Sequence, residues 1–207
     1  MKKKILGLSL VVSVVLILTG IVYANKNLDF FKLGEDVKKI NETTTLDIVA
    51  KVNGVEIPKS KFDTYKAGLM KANGTFTDEE ILDKIIEQEV IIQEIERLGY
   101  SVTEEEVNKF NDERFALMDD DPQAYQIIKD YVDGLGITMD EYKEKSKEIS
   151  RLALLANKYK EEKLKEYENE NSQVVTYSNA EEVEKFEDYF NENIEQLKEK
   201  ANIEIVK

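Results

Sequence analysis

Four Ser/Thr-x-x-Glu motifs limit what this chain can fold into more than any other feature. They are Thr77/Glu80, Thr103/Glu106, Thr138/Glu141 and Ser178/Glu181. In such a motif the hydroxyl oxygen accepts a hydrogen bond from the first helical turn, and the Glu side chain accepts one from the backbone of the capping residue. Each motif precedes a segment with apolar residues at helical spacing. The sequence therefore predicts a mainly α-helical body.

Apolar periodicity gives the expected positions of the helices. It predicts a helix opening at Lys59 or Ser60, then helices over residues 78–98, 104–118, 123–133 and 180–201, and a long helix from about residue 139. Gly99 and Gly134 stand where two of these helices are expected to end. The long helix becomes densely charged over residues 158–170, so we expect its far end to lie in solvent, supported by pairs such as Glu161 with Lys165.

Strand-like sequence occurs at both ends of this helical region. Ile48–Val52 and Val55–Ile57 flank Asn53-Gly54, the dipeptide that best suits a type I′ turn, so they predict a β-hairpin. Residues 203–206 alternate like a further strand. Because a lone strand needs a partner, we expect this segment to pair with the hairpin and form a small sheet.

The N-terminal residues predict export. Lys2, Lys3 and Lys4 precede an apolar run from Ile5 to Ala24, long enough as a helix to cross a bilayer, with the lysines on the cytoplasmic side. Residues 1–24 are therefore a signal peptide cleaved after Ala24 or a retained signal anchor. Residues 25–47 are expected to be a polar tether, and residues 48–207 an extracytoplasmic domain, at the cell membrane or secreted if the signal is cut.

Composition excludes several classes of function. The chain has 29 basic and 43 acidic residues, a net charge of −14, which makes nucleic acid a poor partner. It contains neither cysteine nor histidine. The usual zinc ligands, Ser-His and Cys-His nucleophile pairs and the commonest general acid–base group are therefore missing, and we predict a non-enzyme without metal or cofactor.

Several segments of the body follow one another in a recognisable order. They are residues 50–57 leading into Lys61-Phe62, residues 88–94, the Leu98–Thr103 turn with Glu106 and Val107, and the closing residues 197–205. This order resembles the N-terminal chaperone domain of the SurA and PrsA foldases, whose design is similar to the C-terminal body of trigger factor. The resemblance spans roughly residues 48–206.

The resemblance implies a multi-helix SurA N-terminal-like domain that binds unfolded or exported polypeptides in an apolar helical cleft. Two departures matter. The inserted parvulin isomerase domain of that family has no room between Tyr167 and Ser178, and the lipid-attachment cysteine of the PrsA type is absent. The expectation is thus a membrane-tethered chaperone-like protein of a Gram-positive-type cell. The alternatives are an adaptor for one envelope partner and, third, a peptidyl-prolyl isomerase; the oligomeric state stays open.

Client binding needs adaptable apolar surface, which methionine and aromatic side chains provide. The candidates are Met70, Phe115, Met118, Tyr125, Tyr131, Met139 and Tyr142. Helical spacing also explains most of them as core. Phe115 is the preferred candidate because it falls off the stripe defined by Val107, Phe110 and Leu117.

Overall fold

A computed structural model describes residues 28–43, 47–71, 76–119, 121–172 and 174–206. Its elements are helix α1 (Phe30–Glu42), strands β1 (Ile48–Val52) and β2 (Val55–Pro58), helices α2 (Lys59–Lys71), α3 (Asp78–Arg97), α4 (Glu104–Asp119), α5 (Pro122–Leu135), α6 (Met139–Asn171) and α7 (Ala180–Lys200), and strand β3 (Ile203–Ile205). The described part is thus mainly helical with a small antiparallel sheet, as predicted. No helix within it is long and apolar enough to cross a membrane. The expected signal peptide or anchor, residues 1–24, lies outside the described residues.

The sheet pairs the hairpin with the last strand, as predicted. Its strand order is β2-β1-β3, and both pairs are antiparallel. In the hairpin turn Asn53 and Gly54 have φ values of 51° and 86°, the left-handed values that a type I′ turn requires. Val52 is opposite Val55 on one side and Ile203 on the other. The strand at residues 203–205 therefore finds its partner in β1, about 150 residues earlier in the chain.

Asn53 also ties the hairpin to two other segments. Its Oδ1 accepts a hydrogen bond from the backbone N–H of Asn202 at 2.8 Å, and its Nδ2 donates to Oε1 of Gln93 on α3 at 2.8 Å. Gln93 in turn donates to the carbonyl oxygen of Val52 at 3.0 Å. One turn residue thus fixes the position of α3 and of the chain that leads into β3.

The capping motifs position the helix starts in three of four cases. Thr77, Thr103 and Thr138 each accept from the backbone N–H of the Glu three residues later at 3.2 Å. The same glutamates accept from the threonine backbone at 2.7 Å. The fourth prediction was wrong by one residue: α7 is capped by Asn179, whose Oδ1 accepts from Glu181 N. An amide oxygen caps as well as a hydroxyl, so the neighbouring Asn179 replaces Ser178.

Residues 30–42 are not a tether. They form α1, capped by Asp29, and bury Phe30, Leu33 and Val37 against the rest of the body. The sequence pattern there was too short to reveal a buried face, because only a few apolar residues stand among many polar ones. The helical body accordingly begins near Leu28 rather than at residue 48.

Helices α1 and α5 cross at two glycines. A Cβ atom on Gly34 would overlap the backbone carbonyl oxygen of Tyr131, and one on Gly134 would overlap that of Phe31. Gly134 was expected to end the fifth helix, but α5 continues to Leu135 and Gly136 ends it with φ 70°. Gly134 is therefore needed for close helix packing and not for a turn.

The core consists of three apolar clusters. The first joins α1, α4, α5 and the start of α6, and we call it the aromatic cluster; its buried members are Phe30, Leu33, Val37, Phe115, Met118, Ile128, Tyr131, Val132 and Tyr142. The second lies between the sheet, α2 and α3, with Leu197 of α7 packed against it. The third joins α3, α6 and α7 around Tyr159, Phe186 and Phe190.

The charged end of α6 is less exposed than the sequence suggested. Tyr167 is buried, and its ring centroid lies 5.8 Å from that of Phe186 and 5.2 Å from that of Tyr189 on α7. At this end of α6, Lys163 pairs with Glu166 and Lys165 pairs with Glu162 rather than with Glu161, and Lys160 pairs with Glu187 on α7. Tyr167 therefore packs this charged stretch against α7, which periodicity alone could not show.

Candidate functional site

Most of the predicted client-binding residues meet in the aromatic cluster. Phe115, Met118, Tyr131 and Tyr142 are all buried there, and Met139 packs against the cluster while partly exposed. Tyr125 on α5 is exposed, and the side chain of Met70 lies outside the described side chains. The structure thus brings five of the seven candidates together around one centre. That these residues bind a client stays a prediction.

Three aromatic rings form the middle of the cluster. The rings of Phe115 and Tyr142 meet edge to face with centroids 6.0 Å apart, and those of Tyr131 and Tyr142 do so at 6.1 Å. This geometry is favoured by the ring quadrupoles and stabilises each pair by about 1 kcal/mol beyond the burial itself. Burial raises the pKa of both Tyr131 and Tyr142 above the ordinary tyrosine value, because it disfavours the charged phenolate.

Phe115 lies inside the buried stripe of α4 and not off it. That stripe runs through Val107, Asn111, Phe115 and Met118, whereas Leu117 is 73% exposed. The stripe expected from Val107, Phe110 and Leu117 was wrong because a polar residue, Asn111, occupies its centre. Val107, Asn111 and Phe115 are spaced four residues apart, which indicates one helix face. A search for apolar periodicity misses this face because Asn111 is polar.

A polar seam explains why Asn111 is buried. Its Nδ2 donates to the carbonyl oxygen of Lys143 at 3.0 Å, and its Oδ1 accepts from the Ser150 hydroxyl at 2.9 Å. Arg114 donates to the same hydroxyl at 2.8 Å. Burial lowers the pKa of the Arg114 guanidinium, although it remains charged at neutral pH. The contact between α4 and α6 is therefore held by hydrogen bonds next to the aromatic cluster.

The aromatic cluster is covered by α1 in this structure. Phe30, Leu33 and Val37 supply one side of it, and the glycine crossing brings α1 against α5. Two large apolar side chains on either side of the turn at Asp121 are exposed, Leu117 on α4 and Tyr125 on α5, and we call this pair the periphery. Phe115 and Tyr142 are buried, so a client could contact their rings only after part of the cover had moved. Exposed apolar side chains close in sequence to members of the cluster are those of Phe31, Leu117 and Tyr125.

Positive charge lies over several rings. The Lys143 Nζ is 5.2 Å from the centroid of Phe115, and the Lys160 Nζ is 5.1 Å from that of Phe190 while it pairs with Glu187 at 2.8 Å. In these cation–π contacts one lysine lies over a ring of the aromatic cluster and the other over a ring of the third cluster. Within the described residues no group of three or more acidic side chains is arranged to hold a metal ion.

Comparison of the chain with protein-family models, with curated proteins and with solved structures gave no match. A function for this protein therefore has to be argued from its own residues and their geometry.

Proposed function

We propose that this protein is a membrane-tethered, extracytoplasmic chaperone-like protein that binds unfolded or exported polypeptides and has no isomerase activity. The observation that most supports this is the pairing of β3 with β1, which closes a helical body with a small sheet. The order of hairpin, helices, last helix and strand is the order on which the resemblance to the SurA and PrsA chaperone domain rests. The SurA N-terminal-like fold and the client-binding activity are parts of this proposal.

Tethering follows from the sequence before α1. Lys2–Lys4 and the apolar run to Ala24 are the features of a signal anchor with the body outside the cytoplasm. Since α1 begins at Phe30, residues 25–29 would span no more than about 18 Å even if fully extended. A retained anchor would hold the helical body at the membrane surface, where exported chains emerge.

Binding would transfer client apolar side chains from water onto apolar surface of the helices. Two routes fit the geometry. A client could bind at the periphery on Leu117 and Tyr125, or it could displace α1 and contact Phe115 and Tyr142 of the aromatic cluster. The net charge of −14 would keep the loaded protein in solution and would favour basic clients.

The proposal is tested by aggregation assays on the full chain in detergent micelles. We expect it to suppress aggregation of several unrelated denatured proteins at near-stoichiometric ratio. If it affects none of them and a pull-down from envelope extracts yields one tight partner, the protein is an adaptor and not a chaperone. Acceleration of prolyl isomerisation that survives purification would instead indicate the isomerase.

Site-specific photo-crosslinking separates the two binding routes. A crosslinker at Leu117 reports on clients at the periphery, and one at Phe115 reports on clients that have displaced α1. The matched control is a crosslinker at Tyr177, an exposed aromatic in the connection between α6 and α7, remote in sequence from both. Clients captured at Tyr177 as efficiently as at Leu117 and Phe115 would show that binding does not involve the aromatic cluster.

A further inference from the structure

The sheet has two edges, and they differ in their capacity to accept another strand. Because the order is β2-β1-β3, the outer strands are β2 and β3. Ile57 is paired with Ala50, and the N–H of Lys59 donates inward to Asp47 at 2.8 Å, so the backbone of Pro58 faces outward. Proline has no N–H to donate. The β2 edge is therefore blunted by a residue that natural sheets use for this purpose.

The β3 edge has no such residue. Asn53 N donates to Asn202 O at 2.8 Å, and Val206 N donates to Val49 O at 3.0 Å. Because bonding alternates along an antiparallel strand, residues 202, 204 and 206 face β1, and the backbones of Ile203 and Ile205 face away from it. Among the described elements, β3 packs extensively against β1 alone. Two N–H and two C=O groups thus form an open edge.

The side chains of β3 give this edge a chemical character. Ile203 and Ile205 lie on the same face as Val52 and Ala50 opposite them, and Ile205 is 55% exposed. Glu204 lies on the other face, opposite Lys51. Lys51 bonds to Glu56 at 2.9 Å, and Glu204 accepts from the amide of Asn202 at 3.0 Å. One lysine therefore lies between two carboxylates, and the face is negative overall.

This charge pattern disfavours a second copy of the chain as the occupant. If two β3 edges paired antiparallel through the outward N–H and C=O groups of both isoleucines, Ile203 would lie opposite Ile205 and Glu204 opposite Glu204 of the second copy. Like charges directly opposite each other destabilise a strand pair. A basic residue opposite Glu204 would stabilise it, and apolar residues on either side would extend the apolar face beyond Ile205.

We propose that the β3 edge binds an extended client segment as an added antiparallel strand, with Lys or Arg opposite Glu204 and apolar residues flanking it. Backbone hydrogen bonds supply attraction that does not depend on client sequence, and the apolar–basic–apolar pattern supplies the preference. This inference rests on the proposed function, since it states how a client is held. It requires neither the aromatic cluster nor movement of α1.

The test uses capped eight-residue peptides with a central Val-Lys-Val or Val-Glu-Val, titrated into the full chain in micelles to millimolar concentration. We expect the Lys peptide to bind about fivefold more tightly than the Glu peptide, because an attractive cross-strand pair replaces a repulsive one. The amide protons of Ile203 and Ile205 should become protected from exchange on binding. Peptide binding without that protection would overturn the proposal.

Two variants and a control test the assignment. Glu204→Lys should reverse the preference so that the Glu peptide binds more tightly, a result that misfolding cannot produce. Ile205→Pro removes an outward N–H without removing a bond to β1, and it should weaken both peptides about fivefold. Glu56→Lys makes the same charge change on the opposite edge strand and should leave the preference in favour of Lys. An unchanged preference in Glu204→Lys would contradict the inference.

The aggregation assay distinguishes failure of this inference from failure of the proposed function. If Ile205→Pro still suppresses aggregation and the wild type binds neither peptide, the proposed β3 site is excluded and the chaperone function stands. If the peptides bind with the expected preference but the protein does not suppress aggregation, the β3 site is supported and the chaperone function is excluded. Concentration-dependent dimers that Ile205→Pro abolishes would make a second copy the occupant and overturn the proposal.

Discussion

The side chain of Asn53 connects segments that are far apart in the sequence. Replacement by glycine keeps the positive φ of the turn but removes the bonds to Asn202 and Gln93. We expect Asn53→Gly to lower the free energy of unfolding by about 1–2 kcal/mol, the contribution of two hydrogen bonds. Urea unfolding measures this change.

Asn53→Asp provides the matched comparison. Its carboxylate can still accept from Asn202 N but cannot donate to Gln93. The loss should therefore be intermediate. If Asn53→Gly is as stable as the wild type, the side-chain bonds contribute nothing and the turn conformation alone explains why asparagine is present.

Glu106 makes stability depend on pH. Its hydrogen bonds from the Thr103 backbone, from Lys158 and from the Thr103 hydroxyl lower its pKa from 4.5 to about 2. A lowered pKa in the folded state stabilises the fold fully above pH 4.5, and that stability is lost as the pH falls toward 2. We expect Glu106→Gln to be less stable than wild type at pH 7 and to lose less stability between pH 5 and pH 2.

Circular dichroism of acid unfolding at several pH values measures this difference. Glu105→Gln removes the same charge from the same exposed turn without breaking the capping box, and its pH profile should follow that of the wild type. Parallel profiles for wild type and Glu106→Gln would show that the capping carboxylate does not contribute to acid sensitivity.

At the scale of elements, the crossing of α1 and α5 depends on two residues that have no side chain. Ala at Gly134 would gain about 1 kcal/mol of helix propensity but would place a methyl group against the carbonyl of Phe31. The backbone cannot yield as a flexible side chain would, so we expect Gly134→Ala to destabilise the protein by about 2–3 kcal/mol. Thermal or urea unfolding measures it.

Gln126→Ala is the control for this prediction. It introduces alanine on the exposed face of the same helix and should change stability by less than about 0.5 kcal/mol. The aromatic cluster around Tyr131 should also loosen in Gly134→Ala, with faster amide exchange in α1. Equal exchange in α1 for both variants would mean that the glycines do not set the helix separation.

What the sequence could predict was local. Helix starts at Thr77, Thr103 and Thr138 and the Asn53-Gly54 turn depend on residues close in sequence, so their motifs were sufficient. The role of α1 was missed because its burial depends on Gly34 meeting Gly134, a contact no local pattern encodes. Phe115 was misplaced for the same reason, since buried Asn111 is satisfied by α6 and interrupts the apolar stripe.

At the scale of the whole molecule, the β1–β3 ladder closes a very long loop in a chain without cysteine. Ala50 and Ile205 are opposite each other at a non-hydrogen-bonded position, where Cα atoms are about 4.5 Å apart, within the range for a disulfide. We expect the oxidised Ala50→Cys/Ile205→Cys variant to be more stable than its reduced form by up to about 4–5 kcal/mol.

Urea unfolding with and without reductant measures this difference, and the reduced variant is its own control. Because no other cysteine is present, a monomeric disulfide can form in one way only. Failure of the two cysteines to oxidise under conditions where the protein stays folded would show that β1 and β3 are not adjacent in solution.

The same ladder sets a time order during synthesis. β1 is made early, yet one of its two neighbours is the strand at Ile203–Ile205, which leaves the ribosome some 150 residues later. Until then one edge of β1 and the apolar residues beneath it are uncovered. The body therefore cannot complete its folding while the chain is still being synthesised. A prematurely terminated product would carry this uncovered strand, which marks it for proteolysis or aggregation.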